Sequence, residues 1–303
     1  MAIGVSRVFH VNVNCSNLER SLAFYRDLLG LTQGAHTRPD APQPGGAFGL
    51  DAAQWDAWIL SDERGFDGMA LDLLEWQVPR PTGAPYPVAN HLGFQRFGFV
   101  TRDLDAAYQR LVAAGADCFG PPHDVDVGGT DGVRAFVCAD PDGTPVELVS
   151  GPGERFAFLA INCSDLERST KFYADVLGFR PLAKFAPGPR DESALRLGPD
   201  AEWEMAYLDD PRGAFAFGID LVEWKQPKPE GAAYAAANNL GIYRMALFTD
   251  DIDRDYEGLR EHGVQCVSPP AKLEMGPGIP DLRALLFPDP DGAMLELIEA
   301  PAA

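Results

Sequence analysis

Apolar and polar residues alternate from Val8 to Cys15, with Phe9, Val11, Val13 and Cys15 on one face and Val8, His10, Asn12 and Asn14 on the other. A period of two predicts a strand. The period then changes: Leu18, Leu22, Tyr25 and Leu29 recur at three- and four-residue spacing, the mark of an amphipathic helix. Ser16 and Glu19 read as a capping box at its start, and Gly30 as the left-handed residue that stops it. HVNVNCSNLERSLAFYRDLLG at 10–30 returns as FLAINCSDLERSTKFYADVLG at 158–178. Residues 94–115 and 242–263 repeat the scheme, with caps at Asp103 and Asp251 and stopping glycines at 115 and 263. Shorter apolar strands such as 55–60, 69–76 and 135–138 lie between, and Asp142-Gly143 and Asp291-Gly292 read as hairpin turns.

One repeat therefore sits inside another. Tyr25 and Tyr173, Asp72 and Asp220, Trp76 and Trp224, and Arg96 and Arg244 are each 148 positions apart, and Glu147 and Glu296 are 149 apart after a one-residue insertion. The pattern predicts two duplicated domains, 1–150 and 154–303, joined at Gly151-Pro152-Gly153, each holding two βαβββ modules. The expected class is α+β: four modules forming two cupped, mostly antiparallel sheets with helices outside.

Composition adds exclusions. A formal charge of −20 disfavours nucleic acid and anionic membrane surfaces, and no run of about eighteen apolar residues is present to span a bilayer. The chain shows no basic-then-apolar leader. Four of the five cysteines recur in pairs at equivalent positions (Cys15 and Cys163, Cys118 and Cys266), which points to core residues rather than disulfides. The expectation is a soluble cytoplasmic protein, a monomer or homodimer, whose partner is a small molecule.

The βαβββ module, the CSNLERSLAFYRDLLG and CSDLERSTKFYADVLG helices, and the ADPDGTPVEL and PDPDGAMLEL endings resemble the vicinal oxygen chelate superfamily, which includes glyoxalase I, extradiol dioxygenases and bleomycin resistance proteins. The resemblance covers nearly the whole chain. It implies that paired modules wrap their sheets into a cup around a divalent metal, held by the first and last strands of each module. By the family's spacing, the first ligand falls at His10 and, in the repeat, at Phe158, which cannot bind a metal. The equivalent positions of the other two modules are Arg96 and Arg244, where metal-binding members usually carry His. Glu147 and Glu296 match the closing glutamate, and Asp72 and Asp220 a further carboxylate.

His10, Asp72 and Glu147 form a set suited to Fe, Mn, Ni or Zn. Glu296 takes the place of Glu147 if modules pair across the halves, which sequence order does not decide. Against a metal stands the arginine, a permanent cation that pairs with carboxylates and equally could grip a substrate oxyanion. A metal-free site with His10 as general base is the alternative. On this reading His10, Arg96 and Glu147 are the candidate catalytic residues. Asn12, Asn14, Trp58 and Arg244 are candidate substrate contacts, and the second cup is degenerate. Two functions remain open. One is a glyoxalase-like lyase or isomerase working through an enolate or oxyanion, with extradiol cleavage disfavoured. The other is a metal-free protein that sequesters a small aromatic or antibiotic molecule.

Overall fold

A computed structural model of the protein describes residues 2–125, 132–213 and 216–299. The helix starts follow from side-chain caps: Asn17, Asp103, Asp165 and Asp251 each accept a hydrogen bond from the backbone N–H three residues on. Such a cap contributes about 1 kcal/mol. Ser16 is not part of a capping box. Its hydroxyl donates to Asp142 of the second module at 2.6 Å, while Glu75 accepts from Leu18 N–H. The helix that begins at Leu18 passes at Ala23 into a π-helical stretch, as does its repeat at Phe172, and Gly30 then closes it in the left-handed region at φ 80°.

In every module the first strand runs parallel to the last, and the intervening pairs are antiparallel. First strands then join modules antiparallel, and here the halves expected from the repeat exchange partners. Val5–Asn14 of the first module pairs with Gly241–Thr249 of the fourth, and Arg155–Asn162 of the third pairs with Gly93–Thr101 of the second. Each half thus contributes one module to each cup. The connectors account for the exchange. Residues 79–92 and 227–240 run beside one another, bridged at Thr82/Asn239 and His91/Glu230, with Tyr86 stacked on Tyr234 at 4.0 Å, and carry each chain half from one sheet to the other. Modules of the same half touch through helix and turn instead, as where Tyr25 donates to Asp140 at 2.8 Å.

Both first strands are bulged. At the break in register Val8 N–H donates to Asp210, and Phe156 N–H to Asp62, reciprocal bonds from one sheet's loop to the other's strand. The bulge shifts the alternation by one residue. Val8, Val11, Val13 and Cys15 enter the core beneath the helices, and Phe9 turns with His10 towards the cup. In the second cup Phe156, the repeat of Val8, likewise belongs to the core. Among the described residues no helix is long and apolar enough to cross a membrane, and all five cysteines are free.

Candidate functional site

The floor of the first cup is assembled from both ends of the chain. His10 comes from the first strand of module one and Asp72 from its last strand; Arg244 and Glu296 occupy the corresponding strands of module four. All four are buried, with exposures of 4, 3, 5 and 2%. Arg244 lies between the carboxylates: Nη2 donates to Asp72 Oδ2 and Nε to Glu296 Oε2, each at 2.7 Å. His10 Nε2 stands 3.5 Å from Glu296 Oε2 and 3.7 Å from Asp72 Oδ2, and neither ring nitrogen makes a hydrogen bond of ordinary geometry. Arg244 Nη1 is also buried and unpaired. Above this floor opens a cavity of about 220 Å³ whose walls are mainly apolar, among them Phe48, Trp55, Ile59, Phe248 and Leu282.

Electrostatics follow from this packing. Burial pushes the Glu296 carboxyl up, but Arg244 and then His10 more than offset it and hold it below the usual carboxylate range. Burial likewise weakens the charged form of Arg244, and Glu296 and Asp72 restore it.

The second cup presents the equivalent residues in another arrangement. Arg96 Nε donates to Glu147 Oε2 at 2.5 Å, with both side chains about 15% exposed. No such bond joins Arg96 to Asp220, and burial pushes the Asp220 carboxyl up to about 7, Arg96 pulling it down and Glu147 adding to the rise. Phe158 stands where the first cup has His10, and its ring packs on Gly98, where any Cβ would come within 2.1 Å of it.

The set His10, Asp72 and Glu147 is therefore not brought together. Glu147 and Arg96 lie on the second sheet, and Glu296 and Arg244 take their places beside His10, because the modules pair across the halves. Asn12 is at the floor, donating to the Asp72 carboxylate and carbonyl at 3.2 Å. Asn14 is consumed by structure: it donates to the Ala237 and Asn239 carbonyls and accepts from Trp76 Nε1. Trp58 points away from the cavity and stacks on His36 at 4.2 Å, whereas Trp55, three residues earlier and on the opposite face, lines it. The period of two already separated those two tryptophans. Phe9 and the 273–282 segment of module four were missed, since a bulge and a loop leave no periodic signal.

The donors at the floor do not fit a resident divalent ion. His10, Asp72 and Glu296 supply three candidate ligands, but the guanidinium already bridges both carboxylates and puts a permanent positive charge in the place of a metal. Among the described residues no group of three or more His, Cys, Asp and Glu side chains could hold an ion.

The model of the Glyoxalase/Bleomycin resistance protein/Dioxygenase superfamily matches residues 7–148 and 155–297. The chain belongs to this superfamily. Its similar proteins include a lactoylglutathione lyase of Arabidopsis thaliana, 30% identical over 211 residues that cover 68% of this chain and 67% of the relative. A lactoylglutathione lyase of Haemophilus influenzae is 31% identical over 142 residues, 46% of this chain and 87% of that protein. Among solved structures, glyoxalase I from Zea mays superposes with a TM-score of 0.68 at 20% identity, covering 97% of this chain and 92% of the other. The superfamily's cupped fold, in tandem, is thus the fold of this chain. The two matches follow the duplicated halves of the sequence, whereas the cups are built across them.

Proposed function

We propose that the protein is a metal-independent lyase or isomerase of the glyoxalase type, in which His10 moves a proton and Arg244 carries the negative charge that develops on a neighbouring oxygen. The observation behind this reading is the pair of unsatisfied groups at the cavity floor, the His10 imidazole and Arg244 Nη1. A buried polar group left without a partner is costly, so a site that keeps two of them is shaped for a ligand that pairs with both. A carbonyl compound with an acidic C–H next to the carbonyl does so. The proton passes to an imidazole nitrogen, the electron pair moves onto the oxygen, and the guanidinium donates to the resulting enolate. In a 2-hydroxy carbonyl compound, return of the proton to the former carbonyl carbon, with passage of the 2-hydroxyl proton to the enolate oxygen, turns the hydroxyl carbon into the new carbonyl and isomerises the substrate. Glu296 and Asp72 hold the guanidinium in place beside the imidazole. The apolar walls exclude water, and the cavity's size suits a small 2-hydroxy or 2-oxo carbonyl compound with an apolar substituent. The lactoyl group in the relatives' name is of this 2-hydroxyacyl kind.

A test is hydrogen exchange in D2O, followed by proton NMR on a panel of such compounds with chelator-treated protein. Wild type should exchange the acidic C–H, and His10→Ala should do so at least about 100-fold more slowly while keeping its fold. Exchange only after a divalent ion is added back would refute the metal-free mechanism. The apolar wall also supports a second reading, capture of a small aromatic molecule without chemistry. Saturable binding with no exchange would favour it.

A further inference from the structure

The duplication provides an internal comparison that exposes a second site. At the end of the first cup nearest the connectors, Tyr243 is 3% exposed and belongs to the same buried apolar cluster as Phe48, Tyr234, Ala237 and Met294. At the same positions of the second cup stand Gln95 for Tyr243 and Pro145 for Met294, both smaller. A cleft of about 300 Å³ remains there, walled by Pro85, Tyr86, Phe119, Pro145, Leu195 and Leu197, and it shares no residue with the first cavity.

Two further observations show that this is more than missing volume. Gln95 lines the cleft, is 4% exposed, and its Oε1 is buried without a hydrogen-bond partner. Arg196, at the rim, is the one non-glycine residue with positive φ among the described residues, at 61°; the matching turn of the first cup uses Gly49 at 68°. A backbone conformation that the duplicate leaves to glycine here bears a side chain. Its guanidinium lies 3.8 Å from the centroid of Phe119 and pairs with Asp117 at 2.7 Å, so it holds one wall of the cleft.

We propose that this cleft is a binding site for a neutral, one-ring compound that presents an amide or lactam edge. Asp142 is held by Ser16 and Arg20, Asp117 by Arg196, and the Tyr86 hydroxyl oxygen accepts from the Tyr234 N–H. To these Gln95 adds a primary amide, an acceptor oxygen beside N–H donors, whose buried oxygen is unpaired. An amide edge complements it, and the ring takes the volume that Tyr243 fills in the first cup. The inference does not depend on the chemistry at His10.

The experiment is titration calorimetry of the full chain with benzamide and, as its apolar counterpart, ethylbenzene, on wild type, Gln95→Tyr and Gln95→Leu. Saturable benzamide binding at least tenfold tighter than ethylbenzene is expected for wild type. Gln95→Tyr, which copies the first cup, should abolish it, and Gln95→Leu should erase the preference. Benzamide that fails to saturate, or binds no tighter than ethylbenzene, would overturn the proposal. So would unchanged binding in Gln95→Tyr, which would place the ligand elsewhere. Should Gln95→Tyr not fold, the preference in Gln95→Leu decides.

Discussion

Replacing Arg244 by Leu tests the electrostatic reading of the first cup. The guanidinium makes both short bonds to Asp72 and Glu296, and each carboxylate is 95% or more buried. Its removal leaves two like charges in one low-dielectric site beside His10. Breaking a buried pair in this way costs roughly 3–5 kcal/mol. For a chain of this length that lowers the melting temperature by about 5–10 °C at pH 8. The loss should also depend on pH. In wild type the folded Glu296 pKa lies below its unfolded value, so its contribution is present above the unfolded pKa and fades only as pH falls through the lower, folded one. In the variant one carboxyl is forced to take up a proton, which puts its folded pKa above the unfolded value. The folded variant then binds more protons than the unfolded chain, and its stability falls as pH rises. The deficit relative to wild type should be small near pH 4.5 and largest near pH 8, as read from urea melts at both. A loss below about 1 kcal/mol, or one equal at both pH values, would refute the reasoning.

Four further outcomes are expected. Arg244→His removes the competing cation and completes a His10, Asp72, His, Glu296 donor set, so elemental analysis should find close to one Zn or Ni per chain where wild type holds none; Arg96→His, in the cup where Phe158 takes the place of His10, should gain none. Asp220→Asn should stabilise the protein increasingly as pH rises from 4 to 8, by on the order of 2 kcal/mol at pH 8, because burial lifts the folded carboxyl to about 7 and charging it there opposes folding. Tyr25→Phe leaves Asp140, itself pushed up to about 6 by burial, without its hydroxyl donor and should cost about 1–3 kcal/mol in denaturant melts. Gln43→Ala removes an amide that bonds both Glu274 N–H and Glu274 C=O across the cup's mouth; amide exchange of residues 274–280 should quicken, and unchanged protection would show that the contact does not hold that segment.

The modules, the caps at Asp103 and Asp251 and the stopping glycines were legible because each is a local signal: a period, a short side chain before a helix, a glycine after it; at the first helix Ser16 was mistaken for the cap that Asn17 supplies. The chemistry of the floor was legible only as residue types. Which glutamate joins His10 is a non-local fact, decided by how two connectors lie against each other, and both pairings satisfy the same sequence. The bulge at Val8 was invisible for a similar reason, since Asp210, which satisfies the freed N–H, lies 202 residues away in the chain. Asn14 was misjudged because a buried amide on the cup's face is equally suited to a substrate and to the connector it in fact holds. Phe158, by contrast, was read from its type alone as unable to bind a metal, and Gly98 is the neighbour that gives its ring room.

The most direct measurement compares Glu296→Gln with Glu147→Gln in the D2O exchange assay on chelator-treated protein. With His10 served by the fourth module, Glu296→Gln should slow exchange about 100-fold and Glu147→Gln should leave it within about twofold of wild type. A large loss in Glu147→Gln with Glu296→Gln unaffected would contradict the site built across the halves and return the chemistry to the module pairing within each half.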